Sequence, residues 1–253
     1  MPFIHLNGYN GGGKSTLAHT LPCPLLSADS EGRSPIIRGR DTRTYDEWET
    51  EGFPELGDND VVVWSIESYE DMQEFIGYLE EGDHPFVSAV VDSWLVVQEY
   101  YRMYLQGTDM TDLDSWQGEG NFDSWSKLKH GMIADLKRLG KLTRAHRAVP
   151  ISVCVVTPTN RDDEKPRRPD VDGSLARRLV GIFDMQGAAV KTRAEDGESF
   201  DYDLLIDIQT VYDEDDFETK CNIPEVSEEF GNVINDPDLD RDIVQVMTKQ
   251  GAK

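Results

Sequence analysis

Eight consecutive residues near the start of the chain, Gly8-Tyr9-Asn10-Gly11-Gly12-Gly13-Lys14-Ser15, have the types and spacing of a phosphate cradle. They satisfy G-x-x-x-x-G-K-[ST] in full. Glycines let successive backbone N–H groups turn inward around phosphate oxygens. A helix that begins at the end of the loop aims its positive end at the same anion. In that arrangement Lys14 reaches the terminal phosphates and Ser15 ligates magnesium, with Thr16 next along the helix. The chemistry implied is binding of a nucleoside triphosphate, with ATP and Mg2+ as the expected cofactors.

Two carboxylates extend the constellation. Asp92 closes the apolar run at 86–91, and an acid at the carboxyl end of a buried strand can hold magnesium through water. It could equally cap the helix that Trp94 and Leu95 begin. Glu31 follows the short apolar segment at 25–28. Strand carboxyl ends converge on the ligand crevice of a parallel sheet, where a carboxylate can orient and activate water. A solvated loop acid is the plain alternative in a chain with 49 acids.

These residues need a scaffold, and the pattern supplies one. Apolar, β-branched runs at 3–6, 25–28, 61–66, 86–91 and 151–156 read as buried strands. Helical patterns lie between them at 15–21, 68–79, 94–105, 123–142 and 175–182. Ser68 with Asp71 resembles a capping box. Trp94 and Trp125 fall at helical spacing and read as core anchors. The fold class is therefore α/β, with a largely parallel central sheet flanked by helices. A late hairpin is expected from 200–210 and 217–221 around the acidic turn at 213–216. The region 33–60 reads as loop-rich, and 106–121 as a mobile acidic loop containing Trp116. The core is expected over 1–224, followed by an acidic, loose tail over 225–253.

Composition sets limits. The 253 residues carry 49 acids and 25 bases, a net charge of −24, which repels nucleic acid unless positive charge is concentrated locally. The main concentration of arginine lies at Arg161, Lys165, Arg167 and Arg168, with Arg177 and Arg178 downstream. Three scattered cysteines and five scattered histidines fit neither a disulfide framework nor a zinc site. No apolar run reaches membrane-spanning length and no signal peptide is evident, so a cytoplasmic protein is expected.

Asp29-Ser30-Glu31 resembles the Asp-x-Glu that closes the second core strand of RecA-family recombinases. The order of P-loop, Asp-x-Glu-Gly and hydrophobic run to Asp92 is similar to that of the compact RecA-core ATPases of phages and archaeal viruses. The resemblance spans about residues 3–221 and implies ATP hydrolysis coupled to single-strand annealing or recombination, in a host cytoplasm if viral. It implies Glu31 as the base and Thr157 and Asn160 as sensors of the terminal phosphate. It places a DNA-contacting loop at Arg161, Lys165, Arg167 and Arg168. Lys220 becomes a cation acting across a subunit interface, with Lys191 and Arg193 as alternatives. The implied partners are single-stranded DNA, a single-strand-binding protein and further copies of the chain. Two rivals share the P-loop: a small-molecule or nucleotide kinase using 161–178 as a lid, and a non-catalytic module switched by bound ATP.

Overall fold

In the computed structural model the described residues are 1–32, 37, 39–107, 122–144, 147, 149–159, 169–171, 174–179, 181–194, 199–207, 211–212, 215–217 and 219–250. The chain alternates strand and helix: β1 (Phe3–Asn7), α1 (Lys14–Ala18), β2 (Leu25–Asp29), β3 (Asp41–Thr44), α2 (Tyr45–Thr50), β4 (Asp60–Ser65), α3 (Tyr69–Glu81), β5 (Ser88–Asp92), α4 (Trp94–Gln106), α5 (Phe122–Leu142) and β6 (Ser152–Val156). Then come α6 (Ser174–Leu179), β7 (Met185–Arg193), β8 (Phe200–Leu205), β9 (Val211–Tyr212), β10 (Asp215–Asp216), β11 (Lys220–Cys221), α7 (Pro224–Phe230) and β12 (Val233–Asn235). A π-helical turn, Asp240–Val244, runs into α8 (Gln245–Gln250).

The main sheet has ten strands in the order β12-β8-β7-β1-β6-β5-β2-β4-β3, with β11 beside β7. Pairing is parallel from β3 through β7 and antiparallel where β8, β11 and β12 join. The central strands are buried on both faces, which is why they read as unbroken apolar runs. Along β1, Phe3 packs into one core with Trp94, Leu128, Met132, Leu136 and Leu139. Ile4 and Leu6 pack into the other, with Leu17 and Ala18 of α1. The sheet is thus the middle of three layers, and its strand carboxyl ends share one rim.

Several expectations change. A short antiparallel pair does form across the acidic segment, between β9 and β10, but Phe200–Leu205 pairs with Met185–Arg193. The inner half of β7 is buried and built on Gly187, Ala188 and Ala189, so it offers no apolar alternation to read. A Cβ at Gly187 would lie 2.6 Å from Leu204 Cδ1, so the small residue is what lets β8 approach. Residues 33–60 hold β3 and α2 as well as loops; Thr44 and Glu47 close a reciprocal capping box at the helix start. The tail is not loose: Val226, Ile234, Leu239, Ile243, Val244 and Val246 are buried in the core on the α1 side, and β12 pairs with β8. No described helix is long and apolar enough to cross a membrane.

Candidate functional site: the nucleotide crevice

The P-loop is built by backbone that only glycine accepts without strain. Gly8, Gly11 and Gly13 have φ of 146°, 80° and 86°. A Cβ at Gly8 would sit 2.3 Å from the Ala189 carbonyl oxygen on β7, so the loop lies directly against the neighbouring strand. Gly12 N–H donates to Tyr9 O at 3.0 Å, closing the turn, and Gly13 caps α1. The Tyr9 ring meets Phe217 edge-on, with centroids 5.8 Å apart. Asn10, Gly11, Ser15 and Thr16 are exposed on this rim.

Lys14 is buried, and its Nζ donates to the carbonyl oxygens of Gly8 and Tyr9, each at 2.9 Å. Burial lowers its pKa, while the charges of Asp92 and Glu31 raise it. Ser15 forms a side-chain hydrogen bond with Asp92. Burial raises the Asp92 carboxyl from 3.8 to about 6; that bond and Lys14 oppose the rise, and Glu31 and Asp29 add to it. β5 is not the direct neighbour of β1, because β6 lies between them. Asp92 nevertheless reaches α1, since Ser15 stands one residue inside the helix at the shared rim.

Glu31 arrives on a loop that two side chains secure. Asp29 pairs in register with Asp92, and its Oδ1 accepts from the N–H groups of Glu31 and Gly32, both at 2.9 Å. Ser30 Oγ accepts from Ser93 N–H at 2.9 Å and lies 3.2 Å from Asp92 O. Asp29 and Ser30, noted in the sequence only as part of the Asp-x-Glu motif, are therefore positioning residues. The structure brings Lys14, Ser15, Asp92 and Glu31 into one electrostatic group.

The other expected residues divide. Thr157 is fully buried, and its hydroxyl is bonded to His5 Nε2 at 2.8 Å. His5 is buried too, and desolvation holds its pKa down at about 3. Thr159 is the residue that touches the loop: its N–H donates to Gly8 O at 2.9 Å and its hydroxyl to Asn7 Oδ1 at 3.3 Å. Asn160, Arg161, Lys165, Arg167, Arg168 and Trp116 lie outside the described residues. Lys220 pairs with Gln186, level with His5 in mid-sheet and below the rim where β1 ends. Lys191 and Arg193 are the residues of this set that extend beyond Ala188, the partner of Asn7. Lys191 Nζ lies 4.0 Å from the centroid of the Phe200 ring.

A groove of about 470 Å3 continues from the P-loop, lined by Gly12, Gly13, Thr16, Tyr202, Asp236 and Arg241 among others. That volume lies within the range of small-molecule sites, about 300–1,000 Å3. Its outer wall is the C-terminal segment. Leu239 N–H donates to Thr20 Oγ1 at 2.7 Å, and Asp236 N–H to Tyr202 O at 2.9 Å. Arg241 is tied to Asp242 at 2.5 and 2.7 Å and to Asp236 O at 2.8 Å.

Residues 3–212 match the family described as the AAA domain. The chain belongs to that family. A KaiC-like protein, PH0186, from the hyperthermophilic archaeon Pyrococcus horikoshii OT3 is similar in structure at 13% identity, covering 81% of this chain and 77% of that one, with a TM-score of 0.43. No curated protein matches the chain. The AAA domain spans every element from β1 to β9, so it includes the P-loop, Asp92 and Glu31 and stops short of the C-terminal wall of the groove.

Proposed function

We propose that the chain is a magnesium-dependent, RecA-like ATPase that acts on single-stranded DNA in viral recombination, annealing, replication or repair. The observation carrying the ATPase part is the grouping of Lys14, Ser15, Asp92 and Glu31 around one P-loop. Its donor set fits a hard divalent cation. The Ser15 hydroxyl and the Asp92 carboxylate are already bonded to each other, and the carboxylate is poorly neutralised without a cation. Ser15 would ligate magnesium directly, Asp92 would hold its water, and the ion would neutralise phosphate charge.

This chain's residues supply the rest. Backbone N–H groups of the loop hold the β and γ phosphates, and Lys14 exchanges its bonds to Gly8 O and Tyr9 O for phosphate oxygens. Glu31 orients the attacking water and takes its proton. The groove lined by Tyr202 receives the nucleoside. Asp203, Asp236 and Asp238 in that wall repel phosphate, so the uncharged end of ATP is the end that fits there. Further copies of the chain and a single-strand-binding protein are the partners this reading expects.

The test is ATP turnover with and without single-stranded DNA across a salt series, for wild type and Glu31→Gln. Turnover raised by DNA and reduced at least hundredfold in the variant supports the reading. Turnover that ignores DNA at every salt removes the DNA-stimulated part, and phosphate transfer to an added acceptor would replace it with a kinase.

A further inference from the structure

A second cavity lies on the rim of the sheet opposite the P-loop. Its volume is about 550 Å3, within the range of small-molecule sites, about 300–1,000 Å3. Pro24 and Pro85 in its wall precede β2 and β5, and Leu56 precedes β4, so it opens where these parallel strands begin. The nucleotide crevice lies where they end.

Four aromatic side chains line this cavity: Tyr45 and buried Trp48 of α2, Phe53 shortly after that helix, and Tyr78 of α3. Their planes stand steeply to one another. Tyr45 makes angles of 71°, 61° and 81° with Trp48, Phe53 and Tyr78, and Trp48 makes 81° with Phe53. Rings at such angles wall a box instead of stacking into a slab. Tyr45 packs on Trp64 with centroids 4.2 Å apart, and Trp48 on Phe86 at 5.3 Å, so a second row of rings fixes the walls. Phe53 is held there against its backbone preference. Its φ is 56°, in the left-handed region that a bulky side chain rarely adopts, and its ring is 49% exposed. Half-burial returns only part of what such a conformation costs, and strain of this kind gathers at ligand clamps.

The charge around the box is negative. Glu55 and Asp83 line it, and both are exposed. Burial raises the pKa of the Tyr45 and Tyr78 phenols; Glu49 adds to the rise at Tyr45, and Tyr45, Asp83 and Glu81 add to it at Tyr78. Among the described residues no lysine or arginine lines the cavity. The polar groups of the rings are already engaged: Tyr45 and Tyr78 share a side-chain hydrogen bond, and Trp48 Nε1 donates to Pro54 O at 2.9 Å. A primary ammonium or a guanidinium entering this box would give up hydrogen bonds to water that the rings do not replace. A quaternary ammonium has no N–H to satisfy, and its charge is attracted to aromatic faces.

We infer that this cavity is a binding site for a quaternary ammonium group, held by the Tyr45, Phe53 and Tyr78 rings with Glu55 and Asp83 as its counter-charges. The group can belong to a free molecule such as choline or to a trimethylated lysine on a partner protein, and the recognition chemistry is the same. The site is separate from the nucleotide crevice and does not depend on the ATPase reading.

The test is isothermal titration calorimetry of the full chain with choline and with its uncharged carbon isostere, in which a tert-butyl group replaces trimethylammonium. Choline should bind about tenfold more tightly than the isostere. Phe53→Leu keeps an apolar side chain and removes the ring, and it should weaken choline binding about three- to tenfold. The pair Glu55→Gln, Asp83→Asn should weaken it too and flatten its dependence on salt. Both variants should keep the far-ultraviolet circular dichroism of the wild type. A peptide carrying trimethyllysine, set against the same peptide with unmodified lysine, separates the two sources. Binding of the methylated peptide far tighter than that of choline assigns the site to a modified partner, and comparable affinities assign it to a free molecule. Equal binding of choline and its isostere, unchanged choline affinity in a folded Phe53→Leu protein, or no binding of either quaternary group overturns the inference and leaves the ATPase reading standing.

Discussion

Asp92→Asn should make the nucleotide-free protein more stable at neutral pH and should remove its response to magnesium. The Asp92 carboxyl is raised from 3.8 to about 6, chiefly because burial disfavours its charge. A folded pKa above the unfolded one means that the unfolded chain releases this proton first. Stability contributed by the group is therefore lost as pH rises from 3.8 through 6. The full difference corresponds to about 3 kcal/mol at pH 7.5, and to only about 0.5 kcal/mol at pH 4. Asparagine keeps an oxygen that can accept from Ser15 and removes the charge. Without nucleotide, the variant should melt about 6–12 °C higher than wild type at pH 7.5, and the two should converge toward pH 4. Differential scanning calorimetry at the two pH values measures this. Mg-ATP should reverse the order, because wild type gains stability from the ligand by mass action and the variant gains little. An Asn variant that melts lower than wild type at pH 7.5 without ligand would refute the argument that burial strains this carboxylate. Equal gains from Mg-ATP in both proteins would refute its role in holding the cation.

Tyr202→Ala should weaken ATP binding about tenfold and inhibition by tripolyphosphate by less, because the ring lines the proposed nucleoside groove as well as resting against Gly13 of the loop. Competition against a fluorescent ATP analogue reads both. Gly8→Ala forces a Cβ toward Ala189 O at 2.3 Å; a loss of about 1–3 kcal/mol in urea unfolding and loss of nucleotide binding are expected. His5, whose pKa is lowered by burial to about 3, takes a proton in the unfolded chain first as pH falls below 6.5. Its contribution is therefore complete above that pH and is lost on acidification. His5→Gln should make the slope of unfolding free energy against pH shallower between pH 6.5 and 5, by up to about one proton, in parallel urea titrations.

What could be read from the sequence was local or continuous. The P-loop declares itself because its chemistry is backbone chemistry, set by glycines at fixed offsets. Asp92 is legible because a strand buried on both faces has to end, and a carboxylate closes it. Glu31 was reachable only through chain order, since nothing in its own residue type separates it from the other acids. Asp29 and Ser30 were seen only as part of the Asp-x-Glu motif, because their work is a set of hydrogen bonds to neighbouring backbone that no periodicity reports. β7 was missed for want of alternation, and the C-terminal elements because six buried apolar residues are spread over short elements between acids. Those apolar residues hold the segment against α1, so the groove beside the P-loop depends on the part of the chain that composition made look expendable.

The placement of charge follows the same distinction. Arginine-rich runs at 161–168 and 177–178 drew attention because they are contiguous in sequence. The bases of α5 are separated by the residues that bury the helix, so their density is visible only once the core face is known. Trp125 was assigned to the core on helical spacing, yet near the start of α5 it is 37% exposed. Trp94, at the start of α4, is fully buried as its spacing implied. Spacing thus identified the helix in both cases, but it did not set how deeply each indole is buried.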